Sequence, residues 1–556
     1  MLFAAAAAPS RRQCLLAGLS LSSAVFILYL LLRSPGLTPA LRPGQVGSPP
    51  AVVRDPHSFA QTGWPDPRSL PFGTKSPYSH AEREASLVAT STLSRAAAEF
   101  KSCQLRQVQM LVRHGSRNPN HGTLLKYREL IGRLREHWTA TQPPAGDFAW
   151  FADYFPSTLT GPSSLTTIGR RDLYRLGCRA YQRYAAFWDD LYARTETDAN
   201  GSTTPANTDP HWQVTVSDFN RTIESADVFT STTFDLIQRH VGIRPNFVGG
   251  YGFGVVPSNL DILLNPHKLC PRFLNAANGD AVSDYVDTQR SLWTDRFLGP
   301  VMARLAARIN YPAITAKDLF YLYQMCGFDN ANQPSGRSAC ALFEGHEDDL
   351  PLIEFWKDLG EQEKFGYGPR VGGIVGKMAC SLVTQIIDGM LNCRDKADGQ
   401  NAGAKASRPI GTSGATDEAG NTARAVGVCR QGSFWFGHSP TISLVSNLLR
   451  IDERGAPLAG NATLKEVLDR PYNSGRIAPF AANIAFELYA CEPARRVPTS
   501  PGSRYQFRVL RNELPVLPQH DGCNPDTGLC DLDLFIRSVG DLFGCSLPQV
   551  CKDTAN

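Results

Sequence analysis

Three short runs of apolar and β-branched residues each end in a turn that carries arginine or histidine. The runs are Gln107 to Val112 (QVQMLV), Trp212 to Val216 (WQVTV) and Ser433 to Phe436 (SFWF). The second and third lead directly into helical patterns, as expected of an α/β sheet. Ligands of such sheets bind where the carboxyl ends of neighbouring strands meet, so the three turns predict one anion-binding pocket. Three separate surface turns would have the same composition, and the sequence leaves both interpretations open.

The turn after the first run has the residues that phosphoryl transfer through a histidine requires. It reads Arg113-His114-Gly115-Ser116-Arg117. A neutral imidazole is not repelled by a phosphate monoester, and it can form a covalent phosphohistidine. Flanking guanidinium groups hold the phosphoryl oxygens and stabilise the charge of the transition state. Gly115 lets the backbone approach closely. The alternative is a solvated arginine-rich turn with one exposed histidine.

The sequence around this turn resembles the histidine acid phosphatase family, which is the second branch of the histidine phosphatase superfamily. The resemblance rests on the segments RHGSRNP, LTTIGRRDLYRLG, SDFNRTIESA and GHSPTI. Further segments, among them YNSGRIAPFAANIAFELYACE and FRVLRNELPVL, resemble the subfamily of multiple inositol polyphosphate phosphatases. Together they cover roughly residues 85 to 550. The resemblance implies an α/β fold, namely a three-layer α/β sandwich with a mostly helical inserted domain.

The resemblance also implies roles for individual positions. His114 would be the nucleophile, and His438 would join it in the catalytic site. Arg113, Arg117 and Arg221 would bind the transferred phosphate. The family needs no metal and no cofactor, and the substrates of this subfamily are inositol polyphosphates such as phytate. The implied function is a phosphomonoester hydrolase that acts through a phosphohistidine intermediate.

The proton donor that the family requires is missing from its expected place. Relatives carry a carboxylic acid beside the second histidine, as HAE or HD, whereas this chain has His438-Ser439-Pro440. An inositol alkoxide is too basic to leave unassisted, and general acid catalysis typically contributes about 10²–10⁴-fold. Asp218 and Glu224 are the two candidate positions for a relocated donor. The alternative function is therefore a pseudo-phosphatase that binds inositol polyphosphates without efficient turnover.

An uncharged run of 19 residues, 14–32, follows Arg11 and Arg12 near the N-terminus. As a helix it would span about 28 Å, which is close to the thickness of the bilayer hydrocarbon. We therefore predict a cytoplasmic tail over 1–13 and a signal anchor over 14–32, with a cleaved signal peptide as the alternative. Either one sends the rest of the chain into the secretory pathway. The catalytic domain is then lumenal or extracellular, on a single-pass membrane protein or a secreted one.

The chain has 14 cysteines, a number that favours an oxidising compartment. Cys14 lies in the apolar run, so an odd number remains and at least one cysteine stays outside disulfides; the helical pattern around Cys178 points to that residue. The last four cysteines have neither a CxxC pair nor an interleaved histidine, which predicts a disulfide-stapled tail rather than a zinc site. They are Cys523, Cys530, Cys545 and Cys551.

Composition divides the rest of the chain. Residues 33–80 are rich in proline and glycine and predict a stalk. The α/β phosphatase domain is predicted over 81–240 and 395–556, with the helical insertion over 241–394 between them. A low-complexity stretch, about 395–425, predicts a surface loop. The formal net charge is only +4, which argues against a nucleic-acid partner, so a local cationic cluster must bind any anion.

Three segments match the sequon for N-glycosylation. Asn200 and Asn461 are predicted glycan acceptors. Asn220 also matches the pattern, but it precedes Arg221, which the resemblance assigns to the phosphate pocket. A glycan there would block the pocket, so we predict that Asn220 carries none.

Overall fold

The computed structural model describes the chain between residues 72 and 552, with gaps. The described residues are 72–78, 103–154, 161–193, 195–197, 203–205, 212–241, 254–332, 338–397, 429–453, 455–492, 504–543 and 545–552. The predicted cytoplasmic tail and signal anchor lie outside them, as do most of the predicted stalk, the loop over about 395–425 and Asn200.

An eight-stranded mixed sheet lies at the centre of the described chain, in the order β10-β8-β7-β1-β6-β4-β5, with β9 paired to β8. Its strands are β1 (Cys103–Arg113), β4 (Trp212–Ser217), β5 (Gly254–Val256), β6 (Gly432–Gly437), β7 (Asn483–Cys491), β8 (Tyr505–Arg511), β9 (Leu514–Val516) and β10 (Cys530–Asp531). A separate hairpin consists of β2 (Thr195–Thr197) and β3 (Thr203–Pro205).

Helices connect the strands and cover the sheet. Up to β5 they are α1 (His121–Ala140), α2 (Thr167–Ala193) and α3 (Asn220–Val241). Between β5 and β6 they are α4 (Pro266–Leu269), α5 (Pro271–Asn278), α6 (Asp280–Trp293), α7 (Gly299–Ile309), α8 (Ala316–Asn332), α9 (Asp349–Phe365) and α10 (Cys380–Ala397). After β6 they are α11 (Ser439–Leu448), α12 (Leu464–Leu468), α13 (Ser474–Ile477), α14 (Leu532–Val539) and α15 (Leu547–Val550).

The three predicted strands lie side by side and run in the same direction. β1 pairs with β6 and β6 pairs with β4, both in parallel. The register places Arg113 opposite Gly437 and Val216 opposite Phe436. The turns that follow these strands therefore leave the sheet at one edge. This arrangement confirms the prediction that the turns meet and excludes three separate surface turns.

Side chains of β1 alternate between two apolar cores, one on each face of the sheet. Val108, Met110 and Val112 lie in a core that α2 and α3 cover. Leu111 lies in the opposite core, which α10 and α11 cover. Helices therefore pack on both faces, and the predicted three-layer α/β sandwich is confirmed.

The stretch 241–394, predicted as a helical insertion, contains two elements of the sandwich itself. β5 extends the main sheet beside β4. α10 packs on β1, where the Gln109 side chain donates to the carbonyl oxygen of Ile386 at 2.7 Å, and the boundary predicted at 395 falls inside this helix. A three-residue strand has too little pattern to be recognised, and helical periodicity does not say which layer a helix joins. We propose that the insertion proper is α4 to α9, residues 266–365.

The predicted stalk also extends too far. Residues 72–78 pack in the globular body, where Phe72 and Tyr78 are each 1% exposed. The N–H of Gly73 donates to the carboxylate of Glu354 on α9 at 2.9 Å. Proline and glycine are common in free linkers. They are equally common in extended segments that are packed on a protein by buried aromatic side chains. Composition alone does not distinguish the two.

Six disulfides lie within the described chain. They pair Cys103 with Cys491, Cys270 with Cys551, Cys326 with Cys340, Cys380 with Cys545, Cys393 with Cys429 and Cys523 with Cys530. The tail is disulfide-stapled, as predicted, through one internal pair and two pairs to the preceding chain, to Cys270 between α4 and α5 and to Cys380 at the start of α10. Cys178 is a buried thiol, also as predicted. Disulfides in this number indicate an extracellular or lumenal protein of the secretory pathway.

One helical stretch among the described residues is long and apolar enough to cross a membrane, Gly372–Asp395. Its most apolar window is 67% buried inside the protein. Because the stretch includes most of α10, which packs on β1, we assign it as a core helix.

A buried ion cluster on α9 contacts the 72–78 segment and fixes its position. The guanidinium of Arg470 lies 2.8 Å from a carboxylate oxygen of Glu354 and 2.9 Å from one of Asp358. The three side chains are at most 3% exposed. Glu354 in turn accepts the N–H of Gly73. The cluster therefore couples α9 to the segment that lies beside the strand ends.

We expect Arg470→Leu to lower the free energy of unfolding by about 3–5 kcal/mol, because it leaves two buried carboxylates without their cation. Urea unfolding at neutral pH measures this loss. The matched control is Arg450→Leu, which breaks the surface ion pair with Glu453 and is expected to cost about 0–1 kcal/mol. Equal losses in the two variants would contradict the assignment of Arg470 to a stability-determining cluster.

Candidate active site

The two predicted catalytic histidines meet at the carboxyl edge of the sheet. The backbone N–H of His114 donates to the carbonyl oxygen of Gly437 at 3.1 Å, and Gly437 directly precedes His438. The two imidazole rings lie edge to face with centroids 5.6 Å apart. From the end of β4, Arg221 reaches the same place, with Nη2 3.5 Å from Nδ1 of His438. Residues that follow the carboxyl ends of β1, β4 and β6 therefore surround a single site.

His114 is 3% exposed, and its Nδ1 lies 2.9 Å from the carbonyl oxygen of Gly115. Since a carbonyl oxygen only accepts hydrogen bonds, Nδ1 carries the proton and Nε2 of the neutral ring keeps its lone pair. Burial, followed by the charges of the neighbouring arginines, holds the pKa of His114 well below its usual range. The ring is therefore a neutral imidazole whose Nε2 can act as a nucleophile.

The first turn of α2 supports the loop that carries His114. A Cβ atom on Gly115 would lie 2.4 Å from the carbonyl oxygen of Gly169, so only glycine permits this approach. The hydroxyl of Thr166 donates to the carbonyl oxygen of Ser116 at 3.0 Å. Position 115 therefore requires glycine because the loop packs against the following helix.

The arginines differ in how they are held. Arg113 is 1% exposed, and its Nη1 donates to the carbonyl oxygens of Thr74 and Ala478 at 2.7 and 2.6 Å. Burial, followed by the charge of Arg221, lowers the pKa of Arg117 to about 9. Burial lowers the pKa of Arg221 to about 10. Arg117 and Arg221 therefore keep their charge at neutral and acidic pH.

His438 is the N-cap residue of α11 and is 7% exposed. A guanidinium only donates, so Nδ1 of His438 accepts from Arg221, and Nε2 of the neutral ring carries the proton. Burial, followed by Arg221 and His267, holds the pKa of His438 well below its usual range. His267, on α4, is itself buried, and burial lowers its pKa to about 4. No local sequence pattern indicates this third imidazole.

Four buried N–H groups at the site have no hydrogen-bond acceptor among the residues described. They are Nε of Arg113, Arg117 and Arg221 and Nε2 of His438. We call them the donor cluster. Unpartnered buried donors are rare, because each costs about 1–3 kcal/mol. A phosphate group beside the His114 ring would supply the acceptor oxygens that the donor cluster lacks.

A family model of the histidine phosphatase superfamily (branch 2) matches residues 104–512. The chain belongs to this family. The match includes β1 from its second residue, β4, β6 and every residue of the donor cluster.

Known proteins resemble this histidine phosphatase in sequence and in fold. Multiple inositol polyphosphate phosphatase 1 of Gallus gallus is 26% identical over 492 residues, which cover 86% of this chain and 92% of the relative. The structure of the phytase from D. castellii is 16% identical, with a TM-score of 0.55 over 81% of this chain and 82% of that chain. The Bifidobacterium longum multiple inositol polyphosphate phosphatase, in complex with inositol hexasulfate, is 16% identical, with a TM-score of 0.50 over 78% of this chain and 91% of that chain.

The two candidate proton donors of this histidine phosphatase lie at the surface. Asp218 is exposed, directly after β4. Glu224 is half-buried, with its side chain 38% exposed, and forms an ion pair with Arg170. Among the groups described, no carboxylate contacts His114 or His438. Pro440, at the position of the usual acid, lies in the first turn of α11. Asn220 is exposed at the start of α3, beside Arg221.

Two lysines that no local sequence pattern indicates lie next to the arginines. Lys75 follows Thr74, whose carbonyl accepts from Arg113, and falls within the predicted stalk. Lys357 lies on α9 and is 6% exposed. The one local feature that could have indicated burial of the segment around Lys75 is its two flanking aromatic residues, Phe72 and Tyr78, which are buried.

We expect the acidic limb of kcat/KM for p-nitrophenyl phosphate to lie well below pH 6.5. The neutral form of His114 attacks, and the lowered pKa of this ring keeps it neutral at pH values where an exposed histidine is protonated. This limb reports the free enzyme. The pKa of His114 is lowered only in the folded chain, so the unfolded chain binds this proton more tightly than the folded chain does. The free energy of unfolding therefore falls as the pH drops below about 6.5. A limb at or above pH 6.5 would contradict the neutral nucleophile.

Proposed function

We propose that this histidine phosphatase is a phosphomonoester hydrolase that removes phosphates from inositol polyphosphates through a phosphohistidine on His114. The observation that carries the proposal is the donor cluster, because four buried donors surround a neutral imidazole with an available lone pair. The relatives named as multiple inositol polyphosphate phosphatases and phytases support the substrate class.

The reaction proceeds in two displacements at phosphorus. Nε2 of His114 attacks, an N–P bond forms, and the P–O bond to the inositol breaks. The donor cluster holds the three non-bridging oxygens and stabilises their charge while bonds change. Water then attacks the phosphohistidine, phosphate leaves, and Nε2 regains its lone pair. The leaving inositol oxygen takes up a proton from solvent water in the first step, and the attacking water releases a proton to solvent in the second.

The source of that proton distinguishes the proposed hydrolase from the alternative function. With Pro440 at the position of the usual acid, the departing alkoxide lacks the carboxylic acid of the relatives. A chain that binds inositol polyphosphates without efficient turnover would have the same pocket. Slow hydrolysis and tight binding distinguish the two functions experimentally.

Purified protein incubated with inositol hexakisphosphate at pH 3–8 tests the proposal by release of inorganic phosphate. We expect phosphate release together with a phosphohistidine. This acid-labile intermediate is trapped by alkaline quenching and detected with ³²P-labelled substrate. Binding of inositol hexasulfate, measured by calorimetry on the same preparation, reports the pocket independently of turnover. Tight binding without release would select the binding protein, and neither binding nor release would overturn both functions.

The compartment follows from the disulfides, and we propose in addition that residues 14–32 anchor the chain in the membrane with the phosphatase domain in the lumen or outside. Asn461 is exposed between α11 and α12, which supports its proposed glycosylation. Alkaline carbonate extraction of membranes from expressing cells tests the anchor. Loss of a glycosidase-sensitive mass shift in Asn461→Gln tests the glycan.

A further inference from the structure

The charges that act on the nucleophile are positive. After burial, which is the largest cause, the three arginines of the donor cluster lower the pKa of His114. The same arginines, together with His267, lower the pKa of His438 after burial. A site with this charge stabilises an anion wherever one forms, on the transferred phosphate and also on the group that leaves.

The groups described around the two catalytic rings are poor proton donors. His438 is a neutral imidazole, and its Nε2 donates a hydrogen bond rather than a proton. Burial lowers the pKa of His267 to about 4, so this ring is also neutral over most of the pH range. Burial lowers the pKa of Arg117 to about 9 and that of Arg221 to about 10, and both remain far weaker acids than a carboxyl group.

The turn that follows His438 is held in place without an acidic group. Ser439 has a hydroxyl group and Pro440 a saturated ring. The hydroxyl of Thr441 accepts the backbone N–H of His438 at 3.1 Å and donates to the carbonyl oxygen of Leu264 at 2.5 Å. Hydrogen bonds between groups that do not titrate therefore fix the backbone beside the second histidine. This site favours a group that leaves as a stable anion.

The acidity of the leaving group decides how much the missing proton matters. An alcohol resembles water, whose pKa is about 15.7, and its alkoxide is a poor leaving group. A phosphate group loses its second proton with a pKa of about 6, so it departs as a stable anion at neutral pH. General acid catalysis, typically about 10²–10⁴-fold, is lost for an alcohol and is not needed for a phosphate.

We propose that this histidine phosphatase has a further activity, the hydrolysis of phosphoanhydrides, in which the terminal phosphate of a diphosphate group is transferred to His114 and the second phosphate is the leaving group. The substrate class is a polyphosphorylated small molecule that carries a diphosphate group. The proposal rests on the proposed function for its nucleophile and its donor cluster. It extends that function to a bond whose cleavage requires no proton donor.

The first step balances without an acid. Nε2 of His114 attacks the terminal phosphorus, an N–P bond forms, and the P–O bond to the bridging oxygen breaks. The electron pair passes to the bridging oxygen, which becomes a non-bridging oxygen of the leaving phosphate. Nε2 of His438, a buried donor without an acceptor among the residues described, can donate a hydrogen bond to that oxygen. Water then attacks the phosphohistidine, inorganic phosphate forms, and the proton of the water passes to solvent.

A competition within one molecule tests the proposal. Diphosphoinositol pentakisphosphate carries one anhydride and five single phosphate esters on the same ring. We expect inositol hexakisphosphate as its first product, with the anhydride favoured over each ester by about 10²–10⁴-fold. Phosphorus NMR separates diphosphate from monoester signals, so early time points identify the bond that breaks. His114→Ala, purified in the same way, should cleave neither bond, which excludes a contaminating enzyme.

The double variant Ser439→Ala, Pro440→Glu tests the cause of the preference, because it supplies a carboxyl group beside His438. We expect it to accelerate ester cleavage and to leave anhydride cleavage nearly unchanged, so the preference should fall at least about tenfold. Ser439→Ala, Pro440→Gln is the matched control and should keep the preference of wild type. Circular dichroism checks the folding of both variants.

The outcomes separate this activity from the proposed function. Ester cleavage in wild type at a rate per bond equal to that of the anhydride, or an unchanged preference in the glutamate variant, would overturn the proposal. Release of phosphate from inositol hexakisphosphate would then still support the proposed function. Cleavage of the anhydride without release from inositol hexakisphosphate would support the further activity and overturn the proposed one. Cleavage of neither bond would overturn both.

Discussion

Replacement of His114 with alanine is expected to lower phosphate release from every phosphomonoester by at least about 10⁴-fold, because no phosphohistidine can form. The neutral ring, its protonated Nδ1 and the surrounding donors all point to Nε2 as the attacking atom. Alanine removes that atom and leaves the arginines in place. Binding of inositol hexasulfate should therefore persist in the variant.

Steady-state release of inorganic phosphate from inositol hexakisphosphate and from p-nitrophenyl phosphate measures this loss. His346→Ala is the matched control, since this histidine is exposed in the turn before α9 and should retain full activity. Activity within tenfold of wild type in His114→Ala would show that the attacking group lies elsewhere. Loss of hexasulfate binding together with activity would indicate that alanine had disrupted the pocket rather than the chemistry alone.

The strand ends could be predicted from the sequence because their signals are local. Alternation along β1 and the Arg113-His114 turn occupy neighbouring positions, and parallel pairing then brings the turns of β4 and β6 to the same edge. The prediction that Cys178 stays outside the disulfides is confirmed for a similar reason, since it follows from one helical pattern. The resemblance supplied the sandwich, which the two cores on opposite faces bear out.

Features that depend on distant segments could not be predicted in this way. Lys75 and Lys357 come together across more than two hundred residues through the hydroxyl of Thr74, and no local pattern encodes that meeting. The three residues of β5 are too few for periodicity to appear. Pairings such as Cys270 with Cys551 likewise follow from the fold and not from spacing.

Pro440 lies at the position where the family resemblance places the proton donor. His438 caps α11, so Ser439 and Pro440 are the first two residues of the helix. A glutamate in the first turn of a helix is favoured by the helix dipole, and proline is not required there for the helix to begin. The local fold can therefore accept a carboxyl group beside the second histidine.

We expect the double variant Ser439→Ala, Pro440→Glu, which rebuilds HAE, to raise kcat for inositol hexakisphosphate by about 10²–10⁴-fold at acidic pH. The protonated carboxyl would donate to the leaving alkoxide, which wild type releases without that acid. The gain should decline as the pH rises through the pKa of the new carboxyl, because only its protonated form donates. Phosphate release across pH 3–8 measures the gain and its pH dependence.

The leaving group separates acid catalysis from any other effect of the substitution. The phenolate of p-nitrophenyl phosphate departs without protonation, so its turnover should change little in the HAE variant. Ser439→Ala, Pro440→Gln is the matched control, because glutamine has the same shape and no acidic proton. A gain confined to inositol hexakisphosphate and to glutamate would show that the proton is what wild type lacks. Equal activity of wild type and both variants would instead show that protonation of the leaving group does not limit turnover in wild type.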